Sequence, residues 1–155
     1  MPTLPLASIE SFQEVRRIAL IGVSRDAKSY SRELFTALQA HGYEVFPVHP
    51  QMTQVEGVPC HPDVKAIQPA PERAIILLSR ERTAQAIDGC AEAGVAQVWL
   101  RRTVRDASVA QAMDRGMTRG MTFIVGLCPF LFLPKAAFPH RLHGSVLKLV
   151  GAYPR

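Results

Sequence analysis

Arg17-Ile18-Ala19-Leu20-Ile21-Gly22 is a nearly continuous apolar run that ends on glycine. A run without polar alternation marks a strand buried on both faces, the kind found in parallel sheets covered by helices. The residues after it obey the other period. Ser31 to His41 carries Leu34, Phe35 and Leu38 at helical spacing and stops at Gly42, where glycine suits a helix C-terminus. Tyr43 to Val48 reads as a second strand, closed by His49-Pro50. Gln54 to Cys60 is expected to hold a short edge strand and Asp63 to Ile67 a helical turn. Arg73 to Ser79 is another buried strand, and Arg82 to Ala93 a helix ending at Gly94. Ala96 to Leu100 is a strand, Asp106 to Arg115 a helix, and Thr122 to Val125 the last strand. Upstream, Ser8 is a candidate cap for a short first helix leading to Val15, with Ser11 as a second candidate. Downstream, a final helix is expected over His140 to Val150.

Strands alternating with helices of about three turns predict an α/β domain with a mainly parallel, doubly wound sheet of five to six strands. Right-handed crossovers place helices on both faces and the ligand crevice at the carboxyl ends of the strands. The whole chain, 1–155, reads as one domain, with a core of about 15–129 and a C-terminal extension, 130–155.

The bulk properties narrow the function classes. A 48% hydrophobic fraction supplies a core without staples, and 20% charged residues argue against disorder. The net charge of +5 favours an anionic partner. The cations are spread along the chain, however, and only seven Phe, three Tyr and one Trp accompany them, so no nucleic-acid platform is expected. Cys60, Cys90 and Cys128 lack CxxC spacing, which fits reduced thiols in a cytoplasmic protein rather than a disulfide framework or a zinc site. The N-terminus has no secretory pattern. The apolar stretch Met121 to Leu133 is too short and too broken to span a membrane.

The loop after the first strand, Gly22-Val23-Ser24-Arg25-Asp26-Ala27-Lys28-Ser29-Tyr30, is where such a fold meets an anion. Gly22 allows close backbone approach, Ser24 and Ser29 offer hydroxyls, and Arg25 and Lys28 can neutralise phosphates. The bland alternative is a polar loop that needs one glycine for its turn. The loop is not GxGxxG, because Ser24 and Ala27 stand where further glycines belong. The end of the second strand, Val48-His49-Pro50, lacks the carboxylate that holds the ribose of NAD. A phosphorylated ribose, as in coenzyme A or NADP, passes that test.

These segments together resemble the stand-alone coenzyme A-binding domain proteins, which are similar to the Rossmann-like CoA-binding domains of the succinyl-CoA ligase alpha chain and of ADP-forming acyl-CoA synthetases. The resemblance rests on IALIGVSRDAKSY, GYEVFPVHP, VEGVPCHPDV, AIILLSRERTAQAI, QVWL and TFIVGLCP, about residues 15–129. It implies that Gly22, Val23, Ser24 and Lys28 lie along the phosphates, while Val48, His49 and Pro50 border the adenosine. Ser79 and Arg80 would flank the pantetheine path, and Arg101 would sit in the loop after the fourth long strand. Two departures stand out. The family usually has Asn where this chain has His49, and Gln-x-Gly where it reads Arg101-Arg102-Thr103.

The remaining candidates have plain readings beside the functional ones. Cys128 lies near the crevice, within reach of a thiol cofactor, but a buried inert cysteine is the commoner arrangement. His140 and His143 stand at i, i+3 without a third metal ligand; no metal site is expected. Trp99 reads as core, and His61 as a loop residue. Pro129-Phe130-Leu131-Phe132-Leu133-Pro134 is expected to pack internally, with a dimer contact as the alternative. No nucleophile elbow, Walker A loop or His-Glu metal signature is present, so no catalytic residues are assigned. The expectation is a non-catalytic carrier, sensor or accessory module for coenzyme A or an acyl-CoA, with a protein partner or a homodimer in view. The alternatives are an NADP-binding oxidoreductase-type domain and an interaction module that has lost its nucleotide.

Overall fold

Five short apolar strands align in parallel, and three of them are followed by an α-helix that returns the chain to the same end of the sheet. The computed structural model describes residues 6–102 and 105–133. The strands β1 (Arg17–Ile21), β2 (Glu44–Val48), β5 (Arg73–Ile76), β6 (Gln97–Leu100) and β7 (Thr122–Val125) form one sheet in the order β2-β1-β5-β6-β7. All four pairings are parallel. The helices are α1 (Leu6–Glu14), α2 (Tyr30–Ala40), α3 (Arg80–Ala93) and α4 (Ala107–Thr118). The expected doubly wound fold is therefore present, with five strands in its sheet.

Successive residues of each strand supply opposite layers of core, as a period of two requires. Ile18, Leu20, Ile75, Trp99 and Ile124 face Ile9 and Phe12 of α1 and Leu34, Phe35 and Leu38 of α2. Ala19, Ile21, Ala74, Ile76, Val98 and Leu100 face Ile87 and Cys90 of α3 and Val109 and Ala112 of α4. Ile18, Ala19 and Leu20 are fully buried, so the run that predicted a two-faced strand behaves as one. Each large aliphatic side chain so buried contributes about 1.5–3 kcal/mol.

Several boundaries differ from the sequence reading: β5 ends at Ile76, three residues before Ser79, and α4 runs to Thr118, three beyond Arg115. Residues 54–60 do not add an edge strand. Gln54–Val55 (β3) and Val58–Pro59 (β4) pair with each other as an antiparallel hairpin outside the main sheet. Its tip is Glu56-Gly57, at φ 48° and 78°, the left-handed pair that turns a two-residue hairpin back on itself. Ser8 does not cap α1; it lies inside that helix, and its carbonyl accepts from the Gln97 side chain. Finally, α3 begins at Arg80, two residues earlier than predicted, with Ser79 at its N-cap. The helix expected over 140–150, with His140 and His143, lies outside the described residues. Among the described residues no group of three or more His, Cys, Asp or Glu side chains can hold a metal ion. No helix among them is long and apolar enough to cross a membrane.

Candidate functional site

The sheet order changes direction between β1 and β5, the switch point at which open parallel sheets of this kind take their ligands. The Gly22 N–H donates to the Val48 carbonyl at 3.2 Å, and the Leu77 N–H to the Ile21 carbonyl at 2.8 Å. The ends of β1, β2 and β5 are thus bonded together. Gly22, at φ 100°, has no room for a side chain: a Cβ there would stand 3.0 Å from the Leu77 carbonyl carbon.

The glycine loop is shaped by its own polar groups. The Asp26 carboxylate accepts from the Lys28 N–H at 2.9 Å, and the Ser24 hydroxyl from the Asp26 N–H at 3.1 Å. Ser29 caps α2, which aims the open N–H groups of its first turn at this loop. Arg25 and Lys28 stay exposed on the loop, and Val23 is buried beneath it. The Arg25 guanidinium reaches the Gln51 side chain at 2.7 Å, so the glycine loop and the Val48-His49-Pro50 turn form one rim. Arg32, which the sequence reading does not single out, braces that rim. It donates to the Ser24 carbonyl and pairs with Glu56 of the hairpin. Its place in the first turn of α2 is the available signal.

His49 shows how the chain accommodates the residue where asparagine is expected. Its Nδ1 accepts from the Gln51 and Met52 N–H groups at 3.0 and 3.1 Å, which a side-chain amide oxygen does equally well. Burial, then Arg25 and Arg82, push its pKa below the ordinary value. The folded chain therefore disfavours the imidazolium. Stability from this group is complete above pH 6.5, the ordinary histidine value, and is lost as pH falls from there toward the lower folded-state value. The thermal midpoint of the wild type should accordingly drop more between pH 7 and pH 5 than that of His49→Asn; equal slopes would show that His49 is not linked to folding.

Beside the glycine rim, a cavity of about 240 Å³ opens between the N-terminal ends of α3 and α4. Ile76, Leu100 and Val109 give it an apolar floor, and Arg80, Arg101, Arg102 and Arg105 ring it. Of the predicted site residues, Ser79, Arg80 and Arg101 line this cavity; Gly22 to Lys28 and Val48 to Pro50 form the neighbouring rim. Arg102 falls in the loop that the sequence marks as departing from the family, whereas Arg105 is legible only as a cation, because nothing in the spacing shows that it comes back to the cavity. The rim and the cavity meet at Leu77 and Leu78, which line the cavity and lie against Gly22.

Tyr30 ties the two together from the other face of the sheet. Its ring lies 4.0 Å from the Arg101 guanidinium carbon, and its hydroxyl 3.2 Å from the Cys128 sulfur. Burial and the Cys128 contact hold the phenol protonated, well above its ordinary pKa. Cys128 itself is half-buried rather than buried, which corrects the plain reading of that residue. Cys90 is the inert one, with burial pushing its thiol up to about 12. Trp99 is core, and His61 pairs its backbone with the end of β2 while its ring packs on Phe46. Phe130 and Leu133 are buried, so the segment after β7 packs internally as expected.

The family model described as "CoA binding domain" matches residues 16–134. The alpha subunit of the ADP-forming acetate–CoA ligase II of Pyrococcus furiosus is 34% identical over 88 residues, covering 56% of this chain but only 19% of that subunit. A hypothetical protein from Pyrococcus horikoshii superposes with a TM-score of 0.71 at 22% identity, covering 83% of this chain and 93% of that one. The dinucleotide forming acetyl-coenzyme A synthetase 1 of Ca. Korarchaeum cryptofilum does so with a TM-score of 0.65 at 21% identity, covering 74% of this chain and 28% of that one. At these identities the two structures speak to the fold alone.

Proposed function

The chain belongs to the CoA-binding domain family, and from that premise we propose that it binds coenzyme A or an acyl-CoA without transforming it, as a carrier, sensor or accessory module. The observation that carries this reading is the rim at the switch point. A glycine pressed against the end of the neighbouring strand, two exposed cations and a capped helix N-terminus follow one another in a single loop, and no carboxylate stands at the end of β2. That arrangement suits a phosphorylated ribose with its pyrophosphate. Gly22, Val23, Ser24, Arg25 and Lys28 would follow the phosphates, Val48, His49 and Pro50 the adenosine. Ser79, Arg80 and Arg101 would take the pantetheine toward the arginine-ringed cavity. Among the described residues, Cys90 is buried and its thiol pKa is raised, and no His-carboxylate or paired-carboxylate set lines the cavity, which is why a binding role is favoured over a catalytic one.

Calorimetric titration with coenzyme A, dephospho-coenzyme A and NADP tests the reading. Coenzyme A is expected to bind best. Loss of the 3′-phosphate, or Lys28→Ala, should each cost about 1 kcal/mol, roughly fivefold in affinity. NADP binding with coenzyme A ignored would favour an oxidoreductase-type domain, and silence from all three a protein-interaction module.

A further inference from the structure

Coenzyme A accounts for the rim but not for four arginines around the cavity. Its phosphates are met by the glycine loop, and the thiol end that would reach the cavity is neutral. At about 240 Å³ the cavity falls below the roughly 300–1,000 Å³ that encloses a drug-sized ligand, so it can receive one end of a long molecule and no more.

Among the described residues no acidic side chain lines the cavity, and none of the four arginines is in an ion pair. Two carboxylates, Glu81 in the first turn of α3 and Asp106 at the N-cap of α4, feel Arg80 but lie outside the lining. Glu81 is engaged with the Ser79 hydroxyl and its own N–H, and Asp106 with Ser108. Both helices also direct their positive ends at the opening. Cations left unneutralised in a small cavity repel one another, and an arriving anion relieves that repulsion. Guanidinium groups meet a carboxylate two-pronged, in the plane that a carboxylate offers. The floor of Ile76, Leu100 and Val109 suits a few methylenes.

We propose, building on the coenzyme A reading, that this cavity takes the carboxylate of an acyl group carried on the cofactor's thiol, so that the preferred ligand is a short acyl-CoA ending in a carboxylate. Arg101, held over Tyr30, stands at the border between rim and cavity, and Arg102 and Arg105 supply the charge beyond it.

The test is calorimetric titration with two matched pairs of thioesters: malonyl-CoA against isovaleryl-CoA, and glutaryl-CoA against 5-methylhexanoyl-CoA. In each pair an isopropyl group of similar size replaces the carboxylate and removes its charge. At least one carboxylate ligand should bind tenfold or more tightly than its neutral match. Arg102→Ala and Arg105→Ala should each reduce that preference to threefold or less while changing the affinity for free coenzyme A less than twofold, with thermal midpoints recorded to confirm folding. Equal binding within both pairs, with free coenzyme A still bound, would overturn this proposal alone. A parallel loss of free coenzyme A in the arginine variants would overturn it too, by placing the phosphates in the cavity. A wild type that binds no thioester and no coenzyme A would remove the underlying reading as well.

Discussion

Gly22→Ala should lower the thermal midpoint by about 4–24 °C and weaken whatever binds the rim. At φ 100° the residue lies where an L side chain is strained, which costs about 1–3 kcal/mol. The added Cβ would also stand 2.9 Å from Leu78 Cδ2 and 3.1 Å from the Leu77 carbonyl oxygen. The Leu78 side chain can turn away. The Leu77 backbone cannot do so freely, because its N–H is bonded to Ile21 across the sheet. Overpacking of this kind adds about 1–3 kcal/mol, and a domain of this size loses about 2–4 °C per kcal/mol. Gly120→Ala is the control. That glycine also has a positive φ, 87°, but nothing lies within 4 Å of its Cβ position, so only backbone strain of about 1 kcal/mol applies. Thermal unfolding followed by circular dichroism would separate the two; equal losses would mean that the close approach of β1 and β5 carries no weight.

The periodicity that reveals this fold does so because burial is so complete. Ile18 to Leu20 and Ala74 to Ile76 are buried on both faces, and stretches covered in this way are apolar at every position rather than at every second one. The β7 prediction, Thr122 to Val125, matches the strand residue for residue. Helix starts are harder to place, since a polar first turn looks like loop. Arg80 and Glu81 open α3 without an apolar residue to mark it, although Ser79 before them is a good cap residue. The hairpin at 54–59 is hidden in the sequence because Glu56 takes a left-handed conformation that glycine or asparagine more often supplies.

The site is legible where the first βα turn carries it. Gly22 to Lys28 and His49 fall together because β1 and β2 are neighbours, as the doubly wound order demands. The arginine ring is only half legible. Arg80, Arg101 and Arg102 follow strands and so belong at the carboxyl edge, but Arg105 depends on the path of the loop before α4. The Tyr30–Arg101 and Tyr30–Cys128 contacts join residues far apart in sequence and leave no local pattern.

Trp99→Ala is the second large effect expected. The indole is 2% exposed and stacks edge-on against Phe12, with ring centroids 5.2 Å apart. It also packs against Phe132 at 5.7 Å and donates from Nε1 to the Leu127 carbonyl at 2.9 Å. One side chain thus binds α1, β6 and the segment after β7. Truncating a buried tryptophan costs about 3–5 kcal/mol. Trp99→Phe keeps most of the packing and removes the hydrogen bond, which should cost about 1–2 kcal/mol. Urea unfolding should therefore rank wild type above Trp99→Phe and Trp99→Ala last, and losses of the same size would assign the effect to the hydrogen bond rather than the packing. The consequence extends to the crevice. Phe130 stacks on Tyr30 at 5.4 Å, and Tyr30 supports Arg101, so loosening residues 127–133 removes the platform under the arginine that borders the cavity. Folded Trp99→Ala protein should then bind coenzyme A less tightly than Trp99→Phe does, although residue 99 itself does not line the cavity.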